Sequence, residues 1–100
     1  TQIDATDRLV EQARKVLPGG SFGNMPAEVI LKEGRGGHIY DEAGNEYVDY
    51  LLGSGPMFIG HAHPRVTEAV QGQVPLGTTF FGNNRHGIAL AEAIVEAVPC

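Results

Sequence analysis

Gly53-Ser54-Gly55-Pro56-Met57-Phe58-Ile59-Gly60-His61-Ala62-His63-Pro64 is the stretch on which the reading of this chain turns. It stands between a pattern of strands and a pattern of helix, and it carries three glycines, two histidines and two prolines. Such a loop exposes backbone amides and permits unusual dihedrals, and loops held by rigid elements are where functional groups gather. Upstream, His38-Ile39-Tyr40-Asp41 and Glu46-Tyr47-Val48-Asp49-Tyr50 read as the two strands of a hairpin. The intervening Glu42-Ala43-Gly44-Asn45 has Gly-Asn turn chemistry. Alternation puts Tyr47 and Asp49 on one face, with Val48 and Tyr50 on the other. Downstream, Pro64 suits a first helical turn, and Val66, Ala69, Val70, Gln73 and Val74 continue at helical spacing until Pro75 and Gly77 close it.

The outer parts follow the same logic. Thr6 reads as the cap of a helix from Asp7 to Leu17, with Leu9, Val10, Ala13, Val16 and Leu17 as its apolar stripe and Pro18-Gly19-Gly20 as its end. Ser21 to Pro26 is loop, with Gly23 and Asn24 free to take positive φ. Glu28-Val29-Ile30-Leu31-Lys32 reads as a strand that Gly34-Arg35-Gly36-Gly37 breaks. Gly77 to Asn84 is a second loop, with Phe80 and Phe81 adjacent. A last helix runs from His86 or Gly87 to Val98.

Composition bounds what this assembly can do. One hundred residues allow one small domain, which buries roughly two-thirds of its unfolded surface. The net charge of −5, with both signs intermixed, argues against a nucleic-acid or anionic-membrane partner. No apolar run approaches the roughly 18 residues of a membrane span. Cys100 has no partner for an internal disulfide. The chain stops at Val98-Pro99-Cys100, directly after a helical pattern, and is expected to be the first part of a longer protein.

Several constellations compete as chemistry. His61 and His63 would share a face on a strand, but a zinc site needs further ligands, and His38, His86, Asp41 and Asp49 show no ligand spacing. The plainer reading has His61 bonding loop backbone and His63 capping the helix opened by Pro64. Neither glycine loop matches the P-loop or the dinucleotide fingerprint. Asp41 and Asp49 read as solvated or turn-stabilising rather than as an acid–base pair. Phe80 and Phe81 read as core on sequence alone.

The order of motifs resembles a known family. Leu17-Pro18-Gly19-Gly20, the run from Gly37 to Tyr50, Gly60-His61-Ala62-His63-Pro64-Arg65-Val66 and Leu90-Ala91-Glu92-Ala93-Ile94 are similar to the N-terminus of class III aminotransferases, nearest the glutamate-1-semialdehyde 2,1-aminomutase branch. The resemblance covers residues 6 to 99. It implies an α/β fold of the aspartate-aminotransferase type (fold type I), of which this chain holds the N-terminal helix, the small antiparallel sheet and the following helices. Residues 1–52 would be the helix-and-sheet segment. Residues 53–100 would be an active-site loop and helices leading into a large cofactor domain beyond this chain.

The function implied is amino-group transfer between a small-molecule donor and a keto or aldehyde acceptor through pyridoxal 5'-phosphate (PLP), in a cytoplasmic homodimer. The alternatives are an aminomutase that returns the amino group to the same skeleton and, should 100 residues be the whole molecule, a non-catalytic domain that binds a partner chain. The lysine that holds the cofactor and the aspartate at its ring nitrogen lie downstream in the family, so this segment carries no catalytic residue and the cofactor is bound mainly by residues beyond it. Ser21, Phe22, Met25, Ser54, Gly55 and Pro56 would line the substrate side. Thr79, Phe80, Phe81 and Gly82 would reach toward the neighbouring subunit's site, making an aromatic wall of what otherwise reads as core.

Three departures bear on the substrate. Pro26 stands where the aminomutase branch carries an arginine that holds the substrate carboxylate, Ser54 where it carries a tryptophan, and Gly87 where an acidic residue is common. With Phe22 and Met25 nearby, these imply a more apolar pocket and a different donor or acceptor.

Overall fold

A computed structural model describes residues 2–23 and 25–99. Helix α1 spans Gln2–Val16, with Arg14 and Lys15 in its last turn, where cations meet the negative end of the helix dipole. It begins earlier than the sequence suggests, and Thr6 lies inside it rather than at its cap. Nothing in the run from Gln2 to Ala5 breaks a helix, so the cap signal at Thr6 is overridden. Pro18–Gly20 form a 3-10 turn that ends it, with Gly19 at φ 73° and Gly20 at φ 76°. Both angles fall in the region that glycine alone enters without strain. Gly23, by contrast, does not take a positive φ. Asn24 lies outside the described residues.

Three strands form one antiparallel sheet in the order β1-β2-β3: β1 Leu31–Arg35, β2 His38–Asp41 and β3 Glu46–Val48. Strand β1 lies three residues beyond its expected place. Val29 and Ile30 are half-buried approach segment, and Gly34 and Arg35 belong to the strand instead of breaking it. The reason is tertiary. Arg35 pairs with His38 across a tight Gly36-Gly37 turn, with Gly36 at φ 56°, so the register follows the turn and not the β-branched run. Between Leu31 and Glu33 the pairing shifts, as at a bulge. Strand β3 stops at Val48, two residues short of expectation, although the Asp49 N–H still donates to the Gly37 carbonyl at 2.8 Å. The expected alternation holds: Tyr47 and Asp49 are half-buried, Val48 and Tyr50 exposed.

Asp41 organises the β2–β3 turn. It is 8% exposed, and its carboxylate accepts from the Asn45 N–H at 2.8 Å, the Asn45 amide at 3.0 Å and the Tyr47 hydroxyl at 2.8 Å. Gly44, at φ 89°, supplies the reversal. These donors, the Asn45 side chain first, hold the Asp41 carboxyl below its ordinary range, and the same contact pushes the Tyr47 phenol up.

The chain divides into two compact units, one ending at Thr67 and one beginning at Glu68. Helix α2, Pro64–Gln73, opens with His63 as its cap, as expected: the ring Nδ1 accepts from the Arg65 N–H at 3.2 Å. A 3-10 turn at Val74–Leu76 and Gly77 at φ 94° close it. Helix α3, Arg85–Ala97, starts slightly earlier than expected because Asn84 caps it, accepting from the Gly87 N–H at 2.9 Å. No residue of α2 or α3 is buried, and the buried apolar side chains among the described residues are Val10 and Ile39. The stripes Val66–Val70 and Ile88–Leu90–Ile94–Val95 therefore remain exposed in this chain.

Candidate active-site wall

The loop from Tyr50 to Gly60 is closed at its neck by one side-chain pair. His61 Nε2 lies 2.5 Å from Asp49 Oδ2, with the aspartate side chain 7% exposed and the histidine 20%. The imidazole N–H donates to the carboxylate. The His61 ring thus meets a side chain, where loop backbone was the expected partner, and of the two roles expected of Asp49, solvated or turn-stabilising, it takes the second. Asp49 Oδ1 also accepts from the Leu51 N–H at 2.9 Å and the Leu52 N–H at 3.0 Å. The bond from His61, followed by that from Leu52, holds the Asp49 carboxyl below its ordinary range.

The backbone of His61 is fixed as well. Its N–H donates to the Gly36 carbonyl at 2.8 Å, and its carbonyl accepts from the Gly36 N–H at 3.0 Å. Approach here is so close that side chains are excluded. A Cβ on Gly34 would sit 2.6 Å from His61 Cγ, and one on Gly60 would sit 3.0 Å from Gly36 Cα. Gly34 is thus a seat for the histidine ring, which explains a glycine within a strand.

Inside the neck the backbone turns left-handed. Leu52, Gly53, Ser54 and Gly55 have φ of 52°, 64°, 69° and 120°. For Leu52 and Ser54 this conformation costs roughly 1–2 kcal/mol each. Such conformations persist where surrounding bonds over-determine them, and they cluster at functional sites. Here the Ser54 N–H donates to the Leu51 carbonyl at 3.0 Å, and the Gly55 and Met57 N–H groups both donate to the Leu52 carbonyl at 3.1 Å.

Gly53 and Ser54 open onto a cavity of about 650 Å³ in the first unit, shared with the loop after Gly20. Ser21, Phe22 and Met25 line it from that loop, and α1 contributes Leu9 and Ala13. Four of the expected substrate-side residues, Ser21, Phe22, Met25 and Ser54, thus face one space. Gly55 and Pro56 are exposed and do not line it. The Ser21 hydroxyl donates to the Met25 carbonyl at 3.4 Å, while Phe22 is 93% exposed. Among the described residues no lysine, arginine, aspartate or glutamate lines the cavity.

In the second unit, Thr79, Phe80, Phe81 and Gly82 are all exposed. Phe80 and Phe81 are therefore not core in this chain. Phe80 lies over Gly77, where a Cβ would come 3.0 Å from its ring, and lines a cavity of about 280 Å³ with Val70, Gln73 and Asn84. Phe81 is fully exposed at φ 53°, a position bulky residues rarely take. The Gln73 amide steadies this loop by donating to the Gly77 carbonyl at 2.8 Å. Among the described residues no three His, Cys, Asp or Glu side chains are grouped to hold a metal ion. The rings of His61 and His63 are committed to Asp49 and to the α2 cap.

Residues 21–99 match the class-III aminotransferase family. The chain belongs to that family. The glutamate-1-semialdehyde 2,1-aminomutase of Acetivibrio thermocellus is 41% identical over 100 residues, taking in 91% of this chain and 23% of that enzyme. The crystal structure of an omega-transaminase from Sphaerobacter thermophilus superposes with a TM-score of 0.82 at 38% identity, over 95% of this chain and 23% of that one. A transaminase solved with PLP bound superposes with a TM-score of 0.78 at 31% identity, over 92% of this chain and 23% of that one. The chain spans about a quarter of the length of the class III aminotransferases it matches. Its helix, three-stranded sheet and following helices are part of the aspartate-aminotransferase-like α/β fold of these transaminases.

The residues present do not make a PLP site by themselves. Lys15 and Lys32 are exposed on α1 and β1, and neither lines the cavity. Among the described residues no carboxylate lines the cavity to pair with a pyridine nitrogen.

Proposed function

We propose that this chain is the substrate-side wall of a class III aminotransferase, which moves an amino group from a small-molecule donor to a keto or aldehyde acceptor with PLP. The observation that carries the proposal is the shared cavity: the loop after Gly20 and the left-handed turn at Ser54, far apart in sequence, face the same space. Bound PLP would supply the electron sink that makes amino transfer possible, and residues beyond this chain would hold it. Within the chain, Ser21 and Ser54 offer hydroxyls. Phe22 and Met25 offer apolar surface, and Gly55 and Pro56 shape the turn that presents Ser54.

The uncharged lining bears on the substrate. A second carboxylate placed against Pro26 would find no guanidinium for a bidentate pair. Donors with neutral or apolar substituents fit this lining better than dicarboxylic ones. The exposed Thr79, Phe80, Phe81 and Gly82 are assigned to the neighbouring subunit's site in a homodimer, and the protein to the cytoplasm. On this reading residues 1–52 form the helix-and-sheet segment, and residues 53–100 lead into the cofactor domain.

Similarity to glutamate-1-semialdehyde 2,1-aminomutases supports a second reading, intramolecular transfer. Incubating the PLP-loaded protein with a panel of amines and a keto acid separates the two. Transfer between molecules yields a carbonyl product from the donor and a new amine from the acceptor. The mutase reading requires an isomerised single substrate with no acceptor consumed. Neither product, with cofactor bound, would overturn both.

A further inference from the structure

The left-handed turn at Leu52–Ser54 needs an explanation that cavity shape alone does not provide. Two of its residues pay a steric cost, and its own hydrogen bonds are few and exposed. Further bonds come from its flanks. Asp49 Oδ1 holds the Leu51 and Leu52 N–H groups, fixing the entry, while Asp49 Oδ2 holds His61, fixing the exit. The exit is itself pinned to the β1–β2 turn through Gly36, with Gly34 leaving room for the ring. One carboxylate therefore ties the start of the loop, its end and the sheet into a single frame. Hydrogen bonds to an ionised acceptor are the stronger kind, and a half-buried pair is screened less than a surface one.

We propose that Asp49 and His61 are positioning residues for the substrate site: together they hold the Leu52–Ser54 turn left-handed, so that Ser54 faces the cavity. This rests on the aminotransferase reading above. Neither residue lines the cavity, so neither is assigned to the chemistry. Without the pair, the turn relaxes toward right-handed backbone and Ser54 leaves the wall. The cost then falls on substrate binding before it falls on turnover. An interaction that orients the ground state and the transition state alike shows in KM, with kcat little changed.

The test uses the full-length, PLP-loaded protein and the variants Asp49→Asn, His61→Gln and the double substitution. Asparagine keeps an oxygen for the Leu51 and Leu52 N–H groups and removes the charge that holds His61. Two readouts are taken: donor KM against kcat, and amide exchange at Leu52, Ser54 and Gly55 against Ile39 and Tyr40 in the sheet. The expected result is about a tenfold rise in donor KM, with kcat within about threefold and cofactor content unchanged. Exchange should quicken about tenfold in the turn and stay unchanged in the sheet. The double variant should be no worse than the worse single, as for residues acting as one unit. Unchanged KM and unchanged turn exchange, or exchange rising as much in the sheet as in the turn, would overturn the proposal. If His61→Gln does not fold, Asp49→Asn carries the same readouts. Absence of amino transfer by the unsubstituted protein would overturn the aminotransferase reading instead, and the exchange data would still decide whether the pair holds the turn.

Discussion

Asp49 and His61, twelve positions apart, meet across the neck of a loop whose backbone is left-handed, with His61 Nε2 2.5 Å from Asp49 Oδ2. The aspartate directly follows strand β3 and the histidine lies three residues before helix α2, so the contact closes the loop that joins the two elements. The Asp49 carboxyl is held below its ordinary value of 3.8 by the His61 bond first and the Leu52 N–H next, and Asp41 is held below 3.8 by Asn45 and Tyr47. A carboxyl depressed in the folded state stabilises it fully above the unfolded value and loses that contribution as pH falls toward the folded one. Melting temperature should therefore fall as pH drops below about 4. Asp41→Asn and Asp49→Asn should lower it at neutral pH and flatten that acid slope. Curves parallel to the unsubstituted protein would show that neither pair is formed.

Gly34 makes a sharper steric prediction. A Cβ there would lie 2.6 Å from His61 Cγ, so Gly34→Ala must displace the ring or the strand. A cost of about 1–3 kcal/mol is expected in denaturant unfolding, typical of overpacking. Gly37→Ala is the control, since Gly37 has open space and no positive φ; its effect should stay within about 0.5 kcal/mol. Equal effects would mean that the histidine is not seated against the strand.

Much of this architecture is legible in the sequence, and the gaps have physical causes. The Gly-Asn turn, the Pro-Gly-Gly stop and the His63-Pro64 helix start are local signals, written in residues that act on their own backbone. Strand β1 lies beyond the β-branched Val29 and Ile30 because its register is set at a distance by Gly36-Gly37 and by the room that His61 needs at Gly34. The same distance hid the Asp49–His61 pair. Both residues stood out singly, but no spacing rule joins a strand end to a helix entry. Ser21 and Ser54 carry no motif of their own, so only the family resemblance links them to one site. Phe80 and Phe81 looked like core because aromatic pairs usually are, yet the described residues leave both exposed.

Pro26→Arg tests the substrate reading. An arginine facing a substrate carboxylate adds a charge-assisted bond worth roughly 1.5–3 kcal/mol. At least about a tenfold gain in kcat/KM is expected for a dicarboxylic donor, with none for its decarboxylated analogue. Equal change for the two donors would place position 26 away from the substrate carboxylate.

Phe81→Ala tests the assignment to the neighbouring subunit. The ring is fully exposed among the described residues and makes no core contact within this chain, so unfolding should shift by no more than about 0.5 kcal/mol. As an aromatic wall of a partner's site, its loss should lower kcat/KM for a bulky donor by about tenfold or more. Unaltered kinetics would remove Phe81 from any site.

The most direct test of the central claim is the absorption spectrum of the full-length protein loaded with PLP, recorded before and after addition of an amine donor without acceptor, and again after a keto acid. In an aminotransferase the cofactor band disappears with the donor and returns with the keto acid, as a complete amino-transfer cycle requires. A protein that binds PLP but whose band answers to no amine, or one that binds no PLP, would contradict it.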